Sequence, residues 1–578
     1  MTRRFGSDVM VDAIQACGFP YVALNPGSSF RGLHDSLVNH GGNEPEIITA
    51  NHEKLAVGIA HGYAKATGTP MAVILHDVVG LLHGAMGIYY AYVDRAPVVV
   101  FGGAGPMAYD RRRPYIDWIH TANVQGNAVR DYTKWDDQPA SVASVPESIA
   151  RAHRVATAAP QGPVYVALDA GLQEEELDDD VPLPDWGRLR TPERIGPDPA
   201  ALRRLADALL AAERPVAVTG YAGRDPAAFD QLVELAELLA IGVVDTGWRL
   251  SFPNRHPLNV TGSAAIEEAD CVLFVDVKDM GKPTQALDRT TRRIRSRIAP
   301  GATVLDLGFN ELGISAWSHD FSALHETDLQ VTADTAVALP LLLERCRAGE
   351  AAQADRRDAR ERWRRRLAEL HDETWAAWRA EAQRDAALSP VATSRLAAEV
   401  WDVVREHDWV LTAGTASDWA LRTWDFDRPH RHPGRSLGTA TQIGISLGVG
   451  LAHRGTGRLV VDLQPDGDLM FDLGALWIAA YHRIPMLVVM FNNRAYYNDW
   501  EHQERIARHR GTDESRAWIG MEIARPAPDF GAVARALGWR GEGPIDDPDA
   551  VGPAVRRAAD VVAGEGRPAL VDVICQPE

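Results

Sequence analysis

The hydrophobic pattern near the carboxyl end of the chain predicts a strand, a helix and a second strand in succession. A first apolar run, residues 459–464, ends at a Pro-Asp-Gly turn, and a segment compatible with a helix follows. A second apolar run, residues 486–491, ends at a pair of asparagines. This alternation is typical of a β-α-β unit with parallel strands. We therefore expect Asp466 and Asn493 to lie beyond the carboxyl ends of neighbouring strands, where open parallel sheets bind ligands.

The same alternation runs through most of the chain and predicts an α/β fold of three domains, each a doubly wound parallel sheet. A chain of 578 residues also exceeds what one hydrophobic core supports. We expect an N-terminal domain at residues 1–180, a central domain at 198–348, a charged helical connector at 349–389 and a C-terminal domain at 390–578. The other predicted strands are residues 21–24, 47–50, 71–75, 97–101, 164–168, 215–219, 242–245, 271–275, 303–307 and 569–575.

The charge balance narrows the range of partners. The chain has 60 Lys and Arg against 79 Asp and Glu, a net charge of −19, which argues against nucleic acid or an anionic membrane as the main partner. The arginine-rich run at residues 356–366 is interspersed with acids, and a solvated connector helix explains it better than a nucleic-acid site. No run reaches the roughly 18 apolar residues of a membrane span.

The cysteines and the first residues bear on the compartment. Cys17, Cys271, Cys346 and Cys575 are far apart and form no CxxC spacing. Residues 1–19 lack the continuous apolar core of a signal peptide. The pattern is typical of a reducing cytoplasm and offers no zinc or iron–sulfur site. We expect a cytoplasmic protein.

Two polar residues at neighbouring strand ends predict a metal site. The Asp466 carboxylate and the Asn493 amide oxygen are hard ligands, suited to Mg²⁺ or Ca²⁺. A metal at that edge of the sheet would hold a phosphorylated ligand. An Asp-Gly turn by itself is usually only a turn, so the prediction depends on the asparagine 27 residues further along the chain.

This stretch resembles the diphosphate- and metal-binding motif of thiamine diphosphate enzymes, which is GDG, a helix and then NN. A second segment supports the likeness. His52-Glu53, followed by Gly-Tyr-Ala-Lys-Ala-Thr-Gly at residues 62–68, is similar to the glutamate segment of the acetolactate synthase, pyruvate decarboxylase and benzoylformate decarboxylase superfamily. The resemblance covers nearly the whole chain, with a pyrimidine-binding first domain, a central Rossmann-like domain and a diphosphate-binding third domain.

The resemblance implies thiamine diphosphate and Mg²⁺ as cofactors. Mg²⁺ would be bound by the side chains of Asp466 and Asn493 and by the backbone carbonyl of Ala495. The implied cofactor contacts are Glu53, Thr415, Ala416, Gly438, Ala440, Gly467, Asp468, Asn493, Ala495 and Tyr496. Some relatives bind FAD in the central domain, but no segment here demands it, and FAD is not expected.

The sequence departs from the family pattern at three places. Pro465 replaces the first glycine of the motif, and proline has no N–H to offer a diphosphate. Asp468 is an unusual neighbour for a diphosphate, and we expect its side chain to point away and cap the following helix. Relatives carry a bulky apolar residue that bends the cofactor, whereas Ala440, or Thr439 in a register shifted by one, is small.

The resemblance assigns Glu53 a catalytic role. In the superfamily this glutamate binds the aminopyrimidine ring, whose imino form then removes the C2 proton of the thiazolium. The step is general base catalysis relayed through the cofactor. The glutamate domain of one subunit faces the metal domain of another, so the resemblance also implies a homo-oligomer, a dimer or tetramer with active sites at the interface.

Substrate-side candidates lie at other strand ends of the first domain. Ser28, in Asn-Pro-Gly-Ser at residues 25–28, and His76, in Leu-His followed by Gly80, are similar to benzoylformate decarboxylase segments. A histidine at a strand end is equally compatible with a structural role. Tyr496 and its neighbours either select the substrate or pack the loop.

The predicted function is a thiamine diphosphate- and Mg²⁺-dependent decarboxylase or carboligase that acts on a 2-oxo acid through an enamine, with an aldehyde or a second 2-oxo acid as acceptor. A simple decarboxylase of the benzoylformate type, which releases an aldehyde, is the alternative. A non-catalytic cofactor-binding paralogue is the rival from another class. A nicotinamide dehydrogenase is disfavoured, because Pro106 and later arginines interrupt the helix that a glycine-rich turn at residues 103–108 would need.

Overall fold

Three parallel β-sheets, each flanked by helices, make up the protein. The computed structural model describes residues 3–312, 324–350, 356–412, 414, 417–436, 438 and 440–577. The predicted α/β fold is confirmed. Within this part of the chain, no helix combines the length and apolar character needed to cross a membrane.

The three sheets contain six, five and five strands, which are named here in the order in which they lie side by side. The first sheet runs Glu46–Thr49, Tyr21–Leu24, Met71–Leu75, Val98–Ala104, Val164–Asp169, Asp136–Asp137. The second runs Gly242–Asp245, Pro215–Thr219, Cys271–Val275, Thr303–Gly308, Leu329–Thr332. The third runs Trp409–Leu411, Leu459–Pro465, Leu487–Asn492, Ala569–Ile574, Arg540–Ile545. All pairings within these sheets are parallel, so each sheet gathers its carboxyl ends at one edge.

Helices cover the sheets and connect them. Those of eight residues or more are Gly6–Ala16, Arg31–Asn39, Glu53–Thr67, Val78–Val93, Val145–Thr157, Pro199–Ala211, Pro226–Leu239, Thr335–Glu350, Arg357–Asp385, Thr393–Val404, Gln442–Ala452, Tyr497–Arg510 and Pro548–Glu565. Shorter ones are Asp117–His120, Ala170–Gln173, Ala265–Glu268, Gly281–Thr284, Ser417–Leu421, Asp466–Leu469, Ala475–Tyr481 and Phe530–Ala536. Two small antiparallel strand pairs lie outside the three sheets. They are Arg4–Phe5 with Glu176–Leu177 and Gln285–Leu287 with Ile294–Ser296.

Most predicted strands were placed to within one or two residues, except that the strand predicted at 97–101 continues to Ala104. The prediction missed four short or polar edge strands, Asp136–Asp137, Leu329–Thr332, Trp409–Leu411 and Arg540–Ile545. Asp136–Asp137, Leu329–Thr332 and Arg540–Ile545 lack the continuous apolar run that marks a central parallel strand. Trp409–Leu411 is apolar and buried, but its run of three residues is too short to indicate a strand.

The connector helix Arg357–Asp385 is amphipathic rather than solvated all round. Trp363, Leu367 and Leu370 are buried in the hydrophobic core of the second sheet. Its arginines contact neighbouring acids and carbonyls, as Arg366 does with Glu268 at 2.8 Å. The helix is therefore packed against the second sheet along one face.

The helix Glu53–Thr67 packs tightly against the helix Gln442–Ala452. A Cβ built on Gly62 would lie 2.0 Å from the Ile445 carbonyl oxygen, so only glycine permits this approach. Gly58 and Gly444 face each other at the same crossing. Small residues let the two helix backbones come close together. This helix pair joins the unit of the first sheet to the unit of the third sheet.

Candidate active site

Asp466 and Asn493 follow neighbouring strands, as predicted, and their oxygens converge on one backbone amide. Pro465 pairs with Phe491 in the parallel register, so the two chain segments leave the sheet side by side. The Ala495 amide nitrogen lies 3.2 Å from Asp466 Oδ2 and 3.1 Å from Asn493 Oδ1. A carboxylate and an amide oxygen at such separation, with the Ala495 carbonyl on the same residue, form a donor set that fits Mg²⁺.

The electrostatics of the Asp466 carboxyl also fit a cation. The residue is 2% exposed, and this burial raises the pKa of its carboxyl to about 6. Backbone amides, including that of Ala495, oppose the shift. A buried carboxylate costs desolvation energy unless it is paired or coordinates a metal. A bound divalent cation would supply that missing partner.

The turn that carries Asp466 accommodates proline at the first position of the motif. Pro465 ends the strand with φ −68° and ψ 143°, and Asp466 begins the short helix Asp466–Leu469. The proline ring favours this φ, so the substitution leaves the turn unstrained. A Cβ on Gly467 would lie 2.8 Å from the Tyr496 ring. The turn thus packs closely against the segment that follows Asn493.

The Asp468 side chain does not cap a following helix, contrary to the sequence-based expectation. It lies within Asp466–Leu469, accepts a hydrogen bond from the Ala440 amide, and lies 3.2 Å from Gln464 Nε2. Burial raises the pKa of this carboxyl. The side chain therefore ties the metal-side turn to the loop that holds Gly438 and Ala440. The Ala440 backbone amide, distant in the sequence, binds the carboxylate that the local sequence pattern assigns to a helix cap.

That loop contacts the first sheet's helices. Ala440 has φ 63°, a left-handed conformation that side chains other than glycine seldom adopt. A Cβ on Gly438 would lie 1.8 Å from the Tyr90 hydroxyl of helix Val78–Val93. Glycine is therefore required at 438 for the two units to meet. Thr415 and Ala416, the other predicted residues of the clasp, lie outside the described residues, as does Thr439.

Glu53 is the first residue of helix Glu53–Thr67, after His52, whose Nδ1 accepts the Lys54 amide at 3.0 Å. The Glu53 side chain is buried, with Oε2 3.3 Å from His83 Nδ1. The His83 ring stacks on His52 with centroids 5.3 Å apart. His83 is one helical turn after Gly80 on the facing helix. It is not among the residues predicted from the sequence, since helical phase alone does not show which side chain meets Glu53.

Gly80 separates Glu53 from His76. A Cβ on Gly80 would lie 3.2 Å from Glu53 Oε1 and 3.0 Å from His76 Cβ. The structure thus brings the two predicted catalytic residues to one place, on either side of a glycine that packs closely against both. Tertiary packing confirms their proximity, while their roles remain predictions.

Ser29 rather than Ser28 contacts His76. Ser29 Oγ lies 2.7 Å from His76 Nδ1 and accepts the Asp77 amide at 3.0 Å. Ser29 is buried, whereas Ser28 is exposed at the open end of the turn. The Ser29 hydroxyl fixes the orientation of the imidazole.

The charge state of His76 is set by burial and by a second histidine. Desolvation, together with His120, lowers the pKa of His76. The two rings lie with centroids 5.6 Å apart. Asp77, next to His76, is also buried, and burial raises the pKa of its carboxyl to about 6. A neutral imidazole can accept a proton at neutral pH, which suits general acid–base work.

An ion pair joins the Glu53 end of the first unit to the third sheet within one chain. Lys54 Nζ lies 2.6 Å from Asp472 Oδ2, and both side chains are largely buried. The ammonium also lies 5.8 Å from the centroid of the Phe471 ring. Lys54, the residue after Glu53, therefore contacts the segment that follows the Asp466 turn.

The glycine-rich turn after the strand Val98–Ala104 leads into a single 3-10 turn, Tyr109–Arg111. No helix of the described chain begins where a dinucleotide pyrophosphate would need one, because the next helix, Asp117–His120, comes eleven residues after Pro106.

Three family profiles match the chain in order. They are the thiamine pyrophosphate enzyme N-terminal TPP binding domain at residues 4–127, the central domain at 202–300 and the C-terminal TPP binding domain at 412–573. Among similar sequences are a probable acetolactate synthase 2 of Oryza sativa subsp. japonica, 24% identical over 93% of this chain and 79% of its own length, and the Escherichia coli (strain K12) acetolactate synthase isozyme 3 large subunit, 24% identical over 93% and 89%.

Solved structures with the same fold include two decarboxylases. The benzoylformate decarboxylase from Polynucleobacter necessarius matches with a TM-score of 0.76 at 17% identity, covering 100% of this chain and 99% of that one. A thiamine diphosphate-dependent 4-hydroxybenzoylformate decarboxylase from Rhodococcus jostii RHA1 matches with a TM-score of 0.75 at 19% identity, covering 100% of both. At these identities the likeness establishes the shared fold.

Proposed function

The chain belongs to the thiamine pyrophosphate enzyme family, and from that premise we propose that it is a Mg²⁺-dependent decarboxylase or carboligase acting on a 2-oxo acid. The observation that carries the proposal is the convergence of Asp466 and Asn493 on the Ala495 amide, at 3.2 Å and 3.1 Å. Combined with a buried Glu53 on a contacting unit, it supports both halves of a cofactor site.

When bound, thiamine diphosphate supplies the electron sink for cleavage of the bond between a 2-oxo acid's carboxylate and its carbonyl carbon. Asp466 and Asn493 would hold Mg²⁺ through their side-chain oxygens and Ala495 through its carbonyl. Backbone amides at Gly467 and Asp468 lie at the start of the Asp466 helix, where N–H groups favour anionic oxygen. Pro465 offers no amide, so no anion contact would come from the first position of the motif.

The proposed role of Glu53 is to hold a proton against a ring nitrogen of the cofactor. Its carboxyl group is buried, and low-dielectric surroundings strengthen a hydrogen bond between a carboxyl group and a ring nitrogen. Gly80 packs beside Oε1, where any larger residue would crowd the carboxyl group, because a Cβ there would lie 3.2 Å from that atom. His83 on the Oε2 side keeps the carboxyl group oriented.

The proposed role of His76 is proton transfer to or from the substrate at Nε2. Ser29 occupies Nδ1 at 2.7 Å, which leaves the other ring nitrogen for the substrate. We propose Ser29 as the positioning residue for this imidazole. Ser28, exposed at the rim of the same turn, would contact substrate directly.

Two outcomes of the reaction remain in competition. The small side chain of Ala440 leaves space for a second carbonyl compound, which favours formation of a carbon–carbon bond. The pairing of His76 with a serine near an Asn-Pro-Gly turn favours simple decarboxylation with release of an aldehyde. The non-catalytic alternative is disfavoured, because Glu53, Asp466 and Asn493 are all retained and buried or half-buried.

We also propose that the protein forms a homo-oligomer with active sites at subunit interfaces. The helix Val78–Val93, whose inner face approaches Glu53, exposes 58% of Leu82 and 42% of Met86. Exposed apolar side chains next to a catalytic cleft are typical of an interface. Light scattering coupled to gel filtration tests the proposal, and a monomer at all concentrations would contradict it.

Calorimetry provides the first test of the function. Thiamine diphosphate should bind in the presence of Mg²⁺ and not after chelation, while NAD should give no heat. No heat with thiamine diphosphate and Mg²⁺ would refute the proposal. Incubation with a panel of aliphatic and aromatic 2-oxo acids follows, with CO₂, aldehyde and acyloin measured separately. CO₂ with aldehyde supports decarboxylation, CO₂ with acyloin supports carboligation, and no turnover of any acid supports the silent paralogue.

A further inference from the structure

A cavity of about 200 Å³, separate from the candidate active site, lies where loops of the second sheet, the connector helix and loops of the third sheet meet. Its apolar walls include Leu250, Phe252, Trp375, Trp378 and Leu421. Its described lining contains none of the residues assigned above to catalysis or to metal. An apolar cavity of roughly 150 Å³ binds benzene, so this one admits a molecule with a single ring.

One buried acceptor in the lining lacks a partner. His432 is 1% exposed, and its Nδ1 lies 2.9 Å from the Leu411 carbonyl oxygen. Burial lowers the pKa of this imidazole to about 3, so the ring is neutral, with the proton on Nδ1 donated to Leu411. Nε2 is then an acceptor, and it has no hydrogen-bond partner among the described residues. Such an orphan calls for a donor from water or from a ligand.

A cation in the lining also lacks a carboxylate partner. The Arg422 guanidinium stacks over Trp378 and Trp419, at 5.6 Å and 5.0 Å from the ring centroids. Within the described chain, no carboxylate lies close enough to Arg422 to form an ion pair, in contrast to Arg435, which lies 2.6 Å from Asp418. Arg422 is half-buried, whereas His432 is fully buried, so the charge lies nearer the solvent.

The two acids in the lining, Asp245 and Asp418, already have partners. The Asp245 carboxylate accepts backbone amides from Gly247 and Ser251 at 2.8 Å each, and from Phe252 at 3.3 Å. Asp418 pairs with Arg435, so neither acid is left to attract a cationic ligand. The groups of the lining without a matching partner include the His432 acceptor, the Arg422 guanidinium and the Nε of Arg435, which together favour an anionic ligand that also carries a donor.

We propose that this cavity is a binding site for a small aromatic carboxylic acid that carries a hydroxyl group. The carboxylate pairs with Arg422, the ring lies against the tryptophan indoles, and the hydroxyl donates to His432 Nε2. Arginine binds carboxylates through its planar fork of donors. Arg422 and His432 then each have a partner of matching chemistry.

The site is connected through the chain to the proposed cofactor clasp, and this extension rests on the proposed function. Leu421 and Arg422 come five and six residues after Ala416, and His432 precedes Gly438 by six residues. Lys65, on the Glu53 helix, donates to the Arg435 carbonyl at 2.6 Å. A ligand that favours the cofactor-bound arrangement of this part of the chain would raise the affinity for thiamine diphosphate, and thiamine diphosphate would raise the ligand's affinity by the same factor.

The binding test uses the full-length protein without thiamine diphosphate, so its result does not depend on the proposed function. Calorimetry with 4-hydroxybenzoate and 4-hydroxyphenylacetate should give dissociation constants below about 1 mM. Benzoate, which lacks the hydroxyl, and phenol, which lacks the carboxylate, should each bind about tenfold more weakly, the factor expected for one hydrogen bond of about 1.4 kcal/mol. Failure of both hydroxy acids to bind would overturn the proposal.

Variants locate the site. Arg422→Leu and His432→Phe should each weaken binding of the hydroxy acid by about tenfold or more, while the exposed control Arg428→Leu should not. Arg422 is half-buried, so its variant remains informative if His432→Phe fails to fold, which thermal unfolding will show. Unchanged affinity in Arg422→Leu, or an equal loss in Glu53→Gln, would place the ligand elsewhere and refute the assignment. The coupling is tested separately, by the thiamine diphosphate affinity with and without the hydroxy acid.

Discussion

Glu53 and Asp466 occupy the same local position and have opposite surroundings. Each is the first residue of a helix that follows a parallel strand, and each is buried, at 7% and 2% exposed. Glu53 meets an imidazole and a closely packed glycine. Asp466 meets a backbone amide and a second side-chain oxygen. The strand–helix junction buries a carboxylate in both places, and the neighbours decide whether proton transfer or metal binding follows.

The comparison shows that a carboxyl group at a strand–helix junction can serve either proton transfer or metal binding, depending on its neighbours. A buried carboxyl group beside a nitrogen base can share a proton with a ring. A carboxylate beside other hard oxygens and no countercharge has a raised pKa until a cation binds. Four predictions, taken from the largest expected effect to the smallest, test whether the two positions and their surroundings differ as the geometry indicates.

Glu53→Gln should reduce exchange of the cofactor's C2 proton by about 10²–10⁴-fold, the usual contribution of a general acid–base group. Cofactor affinity should change by less than about threefold, a difference of under 0.7 kcal/mol. Exchange is measured by NMR in D₂O, and affinity by calorimetry. The exposed control Glu44→Gln should match the unaltered protein. Normal exchange in Glu53→Gln would remove the distinction between the two carboxylates.

Asp466→Ala should have the complementary effect, with loss of Mg²⁺-dependent cofactor binding by more than about 100-fold, because even changes outside the first coordination shell cost 10–100-fold in metal affinity. Titration with Mg²⁺ at fixed thiamine diphosphate measures it. Asp499→Ala, an exposed acid on the helix Tyr497–Arg510, is the matched control. If Asp466→Ala bound both cofactors normally, the ligand assignment would be wrong.

A pair of serine variants tests how His76 is positioned on the Glu53 side. Ser29→Ala should lower kcat by about tenfold, the equivalent of one hydrogen bond of about 1.4 kcal/mol to the imidazole. It should also shift the pH profile of kcat, because the Nδ1 partner is lost. Ser28→Ala should raise KM more than it lowers kcat. The reverse ranking would make Ser28 the residue that acts through His76.

The ion pair between the two units should matter for stability more than for chemistry. Lys54→Met leaves Asp472 buried without its partner, and we expect a loss of about 1–3 kcal/mol. The double variant with Asp472→Leu should recover most of it, since neither charge is then left alone. Thermal unfolding of the single and double variants measures the coupling. Additive losses would show that the pair does not join the units.

Much of the fold could be predicted from the sequence, because buried parallel strands are continuous apolar runs. Buried strands such as Met71–Leu75 and Leu487–Asn492 are continuous apolar runs, and their order with helices predicted the α/β architecture. Edge strands such as Asp136–Asp137 carry no such run and were missed. The strand-end positions of Asp466, Asn493, Glu53 and His76 followed from the same pattern.

The sequence by itself determined which chemical groups lie at the ends of the strands, because local hydrophobicity and chain order decide where each strand stops. Only the tertiary structure decided what those groups touch: Ser29 rather than Ser28 on His76, His83 on Glu53, and Asp468 on the Ala440 amide instead of a helix cap. These contacts join residues up to 47 positions apart in the chain. Their geometry depends on how sheets and helices pack, and a pattern that describes one segment at a time does not contain it.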